Sequence, residues 1–375
     1  MTPTWDPVLR IEVEAVDGAA RAGRVHTPRG SFATPCFMPV GTRGAVKALS
    51  SADLDDLGVE VQLGNTYHLL MRPGPEVVAA LGGLHGFEAW SGHVLTDSGG
   101  YQIFSLEPKV DDGGATFRST YDGSTHRLTP ERAVEVQQLL GADIQMVLDV
   151  CPPLPSPPRT IRLAVERTAA WAERAKEAHT PHRHEGGTQA LFGIVQGGVD
   201  PTLRAESAQR TVAIDFDGYG IGGLSVGETR EEMLPALAAA TTHLPTDRPR
   251  YLMGVGDPVG LVEGIAAGVD MFDCVLPTRF ARHGTILTDG GRLNLRNAVH
   301  QRSAEPLDPT CGCPVCARWS RGYLRHLLSV GEPTAWRLLT IHNVHWLLAL
   351  VGRTRAAIID GRFDDVRAEV VAVWS

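Results

Sequence analysis

Three aspartates stand where apolar, strand-like runs of the sequence end, and their side chains are the ones best suited to covalent chemistry. Asp97 and Asp149 follow such runs, and Asp273 lies within Gly268–Gly284, a mostly apolar run that turns basic after Pro277, where a functional loop is expected. Burying an unpaired charge is costly, so each aspartate is either a structural anchor or a working group. Their recurrence at three strand ends favours the functional interpretation. Two carboxylates that flank a glycosidic carbon suit a double displacement, in which one attacks the sugar and the other moves protons.

The most specific local pattern is Cys311-x-Cys313-x2-Cys316. Three thiolates this close need a fourth ligand to complete a tetrahedral zinc site, and His342 and His345 are both candidates. The alternative, three free buried thiols, is disfavoured by the spacing. A full set of protein ligands leaves no open position, so the pattern predicts one structural Zn²⁺ per chain.

Arginines cluster around the cysteine pattern, and only three acidic residues accompany them. Clustered guanidinium groups beside a zinc site indicate a phosphate-binding surface on an otherwise acidic protein. An ordinary solvated face is the alternative, and the residues alone leave both open. The arginines are Arg279, Arg282, Arg292, Arg296, Arg302, Arg318, Arg321 and Arg325, and the acids are Asp289, Glu305 and Asp308.

The composition is that of a globular chain. Its 375 residues, 43% hydrophobic and 21% charged, fit one large barrel with an appended subdomain. A net charge of −8 argues against non-specific coating of nucleic acid but permits a local RNA-binding patch. The first ten residues lack signal-peptide features, and no apolar run reaches the roughly twenty residues of a membrane helix. We therefore expect a cytoplasmic protein without a membrane segment.

Short strands between Gly and Pro breaks predict an antiparallel β layer over Arg10–Val16, Arg24–His26 and Phe32–Val40. From Ser51 onwards, predicted strands alternate with helices, which indicates a parallel sheet, and a hairpin is expected over Ala115–Leu128. Polar or glycine residues recur at the strand ends. In a (β/α)8 barrel these ends meet at one mouth, whereas an open doubly wound sheet spreads them along a crevice. We therefore predict an α/β fold, a (β/α)8 TIM barrel with an N-terminal antiparallel β layer and an inserted C-terminal zinc-binding subdomain.

The glycine-rich run Gly218–Gly223 matches a dinucleotide-binding pattern, but its glycines lie within a predicted strand instead of opening a helix. We therefore reject a dinucleotide site. Glycines at this position allow a flat ligand to approach the backbone closely.

Two other groups of residues have ordinary explanations. A histidine cluster in a Gly-containing segment is expected in a solvated loop, and it comprises His179, His182 and His184. An aromatic stripe on one predicted helical face is more often core than contact surface, and it comprises Trp319, Tyr323 and His326.

Six motifs follow one another along the chain: Asp97-Ser-Gly-Gly-Tyr-Gln, Gly193-Ile-Val-Gln-Gly-Gly, Gly222-Gly-Leu-Ser-Val-Gly-Glu, Tyr251-Leu-Met-Gly-Val-Gly, Asp270-Met-Phe-Asp-Cys-Val-Leu-Pro-Thr-Arg, and Cys311-x-Cys-x2-Cys with His342. In this order they resemble the tRNA-guanine transglycosylase (queuine tRNA-ribosyltransferase) family, bacterial type, over almost the whole chain. So many ordered motifs make the resemblance highly specific.

The resemblance implies an enzyme that exchanges the wobble guanine of a tRNA anticodon for a 7-deazaguanine, preQ1 or queuine, through a covalent ribosyl-enzyme intermediate. Asp273 is then the nucleophile and Asp97 the general acid/base. The target nucleotide must be splayed out to reach such a pocket. The implied base-binding residues are Ser98, Tyr101, Asp149, Gln196, Gly223, Leu224, Met253 and Gly254, with Tyr101 and Met253 on the two faces of the ring.

The resemblance also implies the partners. Arg279 and Arg282 are expected to contact tRNA, and the zinc ligands become Cys311, Cys313, Cys316 and His342. The aromatic stripe resembles the family's dimer contact, so a homodimer replaces the core interpretation. Val150 stands where bacterial members usually have Glu, which leaves the choice among preQ1, queuine and guanine open.

Two other functions are weighed. A non-catalytic tRNA-binding partner subunit is the main alternative, and the presence of both Asp97 and Asp273 speaks against it. A zinc-dependent barrel hydrolase requires a metal with an open position near the acids. The expected division is residues 1–280 for the β layer and most of the barrel, 281–345 for the zinc-binding subdomain, and 346–375 for a C-terminal helical segment packed on the barrel.

Overall fold

The computed structural model describes residues 7–375. Residues 1–6 lie outside the described residues. They belong to the first ten residues, in which the sequence shows no signal-peptide features. In chain order the strands are β1 (Arg10–Asp17), β2 (Ala20–Thr27), β3 (Gly30–Thr34), β4 (Cys36–Gly41), β5 (Val61–Gly64), β6 (His93–Thr96), β7 (Lys109–Asp111), β8 (Gly114–Arg118), β9 (Thr125–Leu128), β10 (Ile144–Met146), β11 (Ala190–Val195), β12 (Gly218–Ile221), β13 (Arg250–Leu252), β14 (Met271–Cys274), β15 (Thr285–Thr288) and β16 (Gly291–Asn294).

The helices are α1 (Ser51–Asp56), α2 (Thr66–Met71), α3 (Pro75–Ala80), α4 (Gly83–Glu88), α5 (Gly100–Phe104), α6 (Pro130–Leu140), α7 (Pro158–His184), α8 (Pro201–Ile214), α9 (Arg230–Thr241), α10 (Pro258–Ala266), α11 (Leu276–His283), α12 (Arg321–Ser329), α13 (Pro333–Ile359) and α14 (Phe363–Trp374). None of the helices in the described part of the chain is long and apolar enough to cross a membrane.

Eight short strands close into a parallel barrel in the order β4, β5, β6, β10, β11, β12, β13 and β14. The barrel closes where β14 pairs with β4, with Met271 opposite Cys36 and Asp273 opposite Met38. The other seven barrel strands are buried on both faces, as parallel strands covered by helices must be. The predicted (β/α)8 barrel is confirmed.

The N-terminal layer is a three-stranded antiparallel sheet of β1, β2 and β3. The prediction of one strand over Phe32–Val40 is wrong, because the run divides at Pro35. Proline has no N–H to donate and interrupts a ladder. The residues before it complete the antiparallel sheet, and those after it form β4, the first barrel strand.

A second small sheet follows β6 and contains the predicted hairpin. Strands β8 and β9 pair antiparallel from Ala115 opposite Leu128 to Arg118 opposite Thr125, and β7 adds a third strand. The helix α6 that follows begins as the sequence predicts. The Thr129 side chain accepts a hydrogen bond from the Arg132 N–H, and Pro130 occupies the first helical turn.

Two segments expected to be loops are helical. The basic stretch after Asp273 forms α11, with Pro277 in its first turn, where a missing N–H is harmless, and Gly284 in the left-handed region after its last turn. Helix α7 continues to His184 and therefore includes all three histidines of the expected loop. His179 is buried, and its Nε2 lies 3.1 Å from the Gln189 carbonyl oxygen.

The C-terminal part contains the hairpin of β15 and β16, a short 3-10 helix over Ala298–Arg302, and α12 to α14. Helix α13 packs on β1, β2, β4 and α11, so it joins this part to the barrel. The boundary predicted at residue 345 lies inside this helix, and the division into three parts stays a prediction.

The aromatic stripe is only partly helical. Trp319 precedes Ser320, the N-cap of α12, whereas Tyr323 and His326 lie on that helix and are exposed. Tyr323 is 44% exposed, so its side chain is not part of the core.

Candidate active site

A cavity of about 350 Å³ opens at the carboxyl ends of the barrel strands. The loops after β6, β10, β12 and β13, together with the end of β14, bring distant residues to its wall, as barrel topology requires. Nearly all of the predicted active-site residues line it. They are Asp97, Ser98, Tyr101, Asp149, Gly223, Leu224, Met253, Gly254, Asp273 and Arg279.

Asp97 is buried at the end of β6 and accepts hydrogen bonds through both oxygens. Asn65 Nδ2 and Gln102 Nε2 reach Oδ2 at 2.5 and 3.0 Å, and the N–H groups of Thr66 and Gly99 reach Oδ1 at 2.8 and 3.1 Å. Burial raises the pKa of Asp97 to about 6, against the opposing effect of these donors. A carboxyl with this pKa can both release and take up a proton near neutral pH.

Asp273 presents one oxygen to the protein and the other to the cavity. The Tyr251 hydroxyl and the Gly254 N–H donate to Oδ1 at 2.6 and 2.7 Å. Within residues 7–375 no donor reaches Oδ2. Burial raises the pKa of Asp273 above its usual value, while the two hydrogen bonds lower it. Oδ2 is therefore the oxygen without a donor among the described residues, on a cavity-lining side chain that two hydrogen bonds hold in place.

Asp149 forms a second buried acidic group with Ser98 and Gln196. Ser98 Oγ donates to Oδ1 at 3.3 Å, and Gln196 Nε2 donates to Oδ2 at 2.6 Å. Burial raises the pKa of Asp149 to about 6. Gln196 does not line the cavity itself; it lies directly behind Asp149 and next to Gly222 and Gly223.

Gly223 must be glycine for two reasons. Its φ of +65° lies in the left-handed region, and a Cβ there would collide with Gln196 Oε1. Gly222 and Gly223 both line the cavity, and the close approach of a flat ligand to their backbone stays a prediction.

Tyr101 and Met253 lie on the cavity wall with different degrees of cover. Tyr101 lies in the first turn of α5, and it is 61% exposed. The Met253 sulfur lies deeper, 3.4 Å from where a Cβ on Gly222 would be. An exposed aromatic ring and a half-buried thioether are suitable surfaces for the two faces of a flat ring.

The arginine cluster is not neutralised by acids. Arg279 is exposed and lines the cavity, and Arg282, one turn further along α11, donates to the Thr278 carbonyl oxygen at 3.0 Å. Among the described residues, none of the eight arginines from Arg279 to Arg325 forms an ion pair with a carboxylate. Uncompensated guanidinium groups on a protein of net charge −8 favour the phosphate-binding interpretation.

The Cys3His group predicted from the spacing is present. The ligand atoms of Cys311, Cys313, Cys316 and His342 all lie within 4.8 Å of one another. His342 Nδ1 is 3.4 and 3.3 Å from the sulfurs of Cys313 and Cys316, and its Nε2 lies 2.8 Å from the Leu287 carbonyl oxygen.

The contact with Leu287 tests whether this group suits a metal. It places the proton on Nε2 and leaves the Nδ1 lone pair facing the thiols, as a metal-ligating histidine requires. Three sulfurs and one imidazole nitrogen form a closed tetrahedral set, so the residues fit a structural metal. Across residues 7–375 it is the only such cluster, which disfavours a hydrolase with a metal beside the acids.

Four side chains around the site were not assigned roles from the sequence. Asn65 and Gln102 hold Asp97, Tyr251 holds Asp273, and Arg204 holds the backbone behind the Gly223 loop. Asn65, Gln102 and Tyr251 lie at or near strand ends, whereas Arg204 lies on helix α8. Their partners are set by the barrel, so the sequence offers a signal only for the three at strand ends and none for Arg204.

Asp97 and Asp273 share one cavity at the mouth of a closed parallel barrel, which is the arrangement of a (β/α)8-barrel enzyme, and its family identifies it as a pentosyltransferase. The chain belongs to the queuine tRNA-ribosyltransferase family, whose model matches residues 17–375. The family predicted from the ordered motifs is thereby confirmed.

Several relatives carry the name queuine tRNA-ribosyltransferase. The protein of Desulforudis audaxviator is 53% identical over 355 residues, which cover 94% of both chains. That of Moorella thermoacetica is 50% identical over 352 residues, or 93% of both chains. That of Thermus thermophilus is 50% identical over 366 residues, which cover 97% of this chain and 94% of the relative.

Proposed function

We propose that the protein exchanges the wobble guanine of target tRNAs for a 7-deazaguanine base, preQ1 or queuine, through a covalent ribosyl-enzyme intermediate. The observation that carries the proposal is that Asp97 and Asp273 line one cavity, the first with a pKa of about 6 and the second with a free oxygen. The arginine face beside the cavity and the family's name support RNA as the substrate.

Asp273 Oδ2 attacks C1′ of the ribose, the C1′–N9 bond breaks, and guanine leaves with the bonding electrons. Protonated Asp97 supplies the proton that the departing base takes up. The incoming base then gives its N9 proton to the Asp97 carboxylate, N9 attacks C1′, and the Asp273–C1′ bond breaks. Two inversions return the original anomeric configuration, and both carboxyl groups end as they began.

Gln102 is suited to both protonation states of Asp97. Its Nε2 donates to the carboxylate, while its buried Oε1 has no partner within residues 7–375. Rotating the carboxamide by half a turn presents Oε1 instead, which accepts a hydrogen bond from a protonated Asp97. The assignment of nitrogen and oxygen in such a group follows the network around it.

Asp149 is the acceptor for the base edge. An ionised carboxylate matches the N1–H and 2-amino donors of guanine or a 7-deazaguanine, and the backbone N–H groups at Gly223 and Leu224 match the 6-oxo group. Tyr101 and Met253 cover the ring faces. All five positions are expected from the family resemblance, and their shared cavity wall supports them.

The metal of the Cys3His group is proposed to be Zn²⁺ with a structural role, one per chain. Cys311, Cys313, Cys316 and His342 would hold it, and its chemistry is limited to cross-linking the segment between α11 and α13. No step of the base exchange passes through it.

Exposed Tyr323 and His326 on α12 support a homodimer that buries this face. Sedimentation of wild type and of Tyr323→Glu tests the homodimer. We expect a dimer for wild type and a monomer for the variant, and a wild-type monomer at micromolar concentration would contradict the homodimer.

A cytoplasmic location is proposed from the tRNA-modifying role.

Incubation with tRNA and radiolabelled guanine tests the function directly. Label should enter the wobble position, and Asp97→Asn and Asp273→Asn should both abolish incorporation. A wild-type protein that binds tRNA tightly but incorporates no label would favour the non-catalytic partner subunit. Competition between preQ1 and queuine in the same assay identifies the preferred incoming base.

A further inference from the structure

A fully buried arginine lies directly behind the base-binding loops. Arg204 stands in the first turns of α8 and is 0% exposed. Its guanidinium donates Nε to the Gly198 carbonyl oxygen at 2.7 Å and Nη1 to those of Val195 and Gly222 at 3.1 and 2.6 Å. Nη2 donates to the Gly223 carbonyl oxygen at 2.9 Å. One side chain thus ties the loop after β11 to the loop after β12.

Burying this cation without an ion pair is costly, and no carboxylate pairs with Arg204 in the described part of the chain. Burial lowers the pKa of Arg204 to about 10, so the guanidinium stays charged at neutral pH. Neutral side chains or water can satisfy loop carbonyls. A charged planar group with donors in fixed directions indicates that the orientation of these peptides matters.

The orientation of the two peptides follows from their geometry. In a trans peptide the C=O and the following N–H point in opposite directions. Because Arg204 holds the carbonyls of Gly222 and Gly223, the N–H groups of Gly223 and Leu224 point away from the guanidinium. Both residues line the cavity, and within residues 7–375 neither N–H has a backbone acceptor.

The surroundings of Cys151, another cavity residue, agree with this direction. Burial raises the pKa of the Cys151 thiol to about 12, and the Gly223 amide is close enough to oppose that rise. The Gly223 N–H therefore faces the cavity side of the loop, where a ligand atom can replace the thiol as its neighbour.

We propose that Arg204 is a positioning residue that aims the N–H groups of Gly223 and Leu224, as a pair of donors, at the 6-oxo group of the bound base. The inference rests on the proposed base exchange and extends it to specificity. With the Asp149 carboxylate as acceptor, the pair matches the acceptor-donor-donor edge of guanine and its 7-deaza analogues. A 6-amino group at the same place would face two donors and be rejected.

The test compares guanine with 6-thioguanine, which keeps the N1–H and 2-amino donors but replaces O6 by a poor hydrogen-bond acceptor. Calorimetry gives the affinity of each base for wild type, Arg204→Lys and Arg204→Gln, and tRNA affinity is measured in parallel. Arg210→Lys is the matched control, because Arg210 lies on the same helix and pairs with Glu206 at the surface. Thermal unfolding of each variant verifies that it is folded.

Wild type and the control should bind guanine at least about tenfold more tightly than 6-thioguanine. In Arg204→Lys the preference for guanine over 6-thioguanine should fall to about threefold, and in Arg204→Gln the two bases should bind equally. The affinity for tRNA should change less than about threefold in both variants, because it is set mainly by phosphate contacts. Equal weakening of both bases in the variants would mean that Arg204 only supports the fold, and it would overturn the proposal.

A wild-type measurement decides the matter if neither variant folds. Guanine should slow amide hydrogen exchange in a peptide containing Gly223 and Leu224, and 6-thioguanine should do so less. Equal protection by the two bases, or none, overturns the proposal. Because binding requires no turnover, a wild type that shows this selectivity but incorporates no guanine into tRNA contradicts the base-exchange function and leaves the role of Arg204 supported.

Discussion

The Tyr251 hydroxyl donates a 2.6 Å hydrogen bond to Oδ1 of Asp273. Burial and the neighbouring carboxylate raise the pKa of Tyr251 well above its usual value, so the phenol remains a donor at any pH the enzyme meets. The bond fixes the carboxylate with Oδ2 towards the cavity and lowers the pKa of Asp273 against the effect of burial.

Replacing Tyr251 by Phe should therefore slow the reaction and change its pH dependence. A hydrogen bond to a charged group contributes about 1.5–3 kcal/mol, so kcat should fall roughly ten- to a hundredfold at pH 7.5. The nucleophile must be ionised, and loss of the donor raises its pKa further, so the acid limb of the kcat profile should move to higher pH. Tyr219→Phe is the control, since the Tyr219 hydroxyl contacts the Phe216 N–H instead. An unmoved acid limb would contradict this role.

Guanine affinity should depend on pH through Asp149. Its pKa of about 6 means that the carboxylate is ionised above this pH and loses an acceptor lone pair below it. Calorimetry should show guanine binding weaken by about tenfold per unit below pH 6 and stay constant from pH 7 to 8. In Asp149→Asn binding should be weak and independent of pH. A wild-type affinity that is flat from pH 5 to 8 would exclude Asp149 as the ionised acceptor.

The raised pKa of Asp149 also affects the stability of the fold. A salt-bridged acid stabilises the fold when it is ionised, whereas ionisation of Asp149 destabilises it. The folded protein binds the Asp149 proton more tightly than the unfolded chain, so this group lowers stability as pH rises from 3.8 to about 6, and the loss is constant above that. Asp149→Asn should raise the free energy of unfolding at pH 7.5 by at most about 3 kcal/mol. Urea unfolding at pH 7.5 and pH 4 measures the difference in free energy of unfolding between Asp149→Asn and wild type. A variant that is less stable than wild type at pH 7.5 would contradict the prediction.

Metal content distinguishes the two histidines of α13. His342→Ala should lose the metal and expose the segment between Arg282 and Arg325 to protease, because the fourth ligand is missing. His345→Ala should keep about one zinc per chain and remain resistant. Chelation of wild type should reproduce the His342→Ala digestion pattern; unchanged resistance after metal removal would contradict a structural metal.

The barrel and the metal group could be predicted because each rests on a local pattern with one geometric solution. Alternating elements with polar strand ends require a parallel sheet, and convergence of those ends favours closure. Three cysteines within six residues restrict the ligand choice in the same way, although the residues alone left His342 and His345 equal. Orientation on α13 separates them, since His342 faces the sulfurs.

Other features depend on packing that the local sequence does not encode. The run is strand-like on both sides of Pro35, and the local sequence does not show that its two halves join different sheets. The segment from Pro277 to Gly284 has loop-like composition but fits a helix between the barrel and α13. Tyr251 and Arg204 act on residues 22 and 19 positions away, through contacts that exist only when neighbouring strands pair.

The central claim is that Asp273 forms a covalent bond to the ribose of tRNA. Wild-type protein incubated with tRNA while released guanine is removed should give an enzyme-RNA adduct that survives a denaturing gel and disappears when guanine is added back. Asp273→Asn should give no adduct while binding tRNA with an affinity within about threefold of wild type, since phosphate contacts are unchanged. An adduct of equal yield in Asp273→Asn would contradict the account.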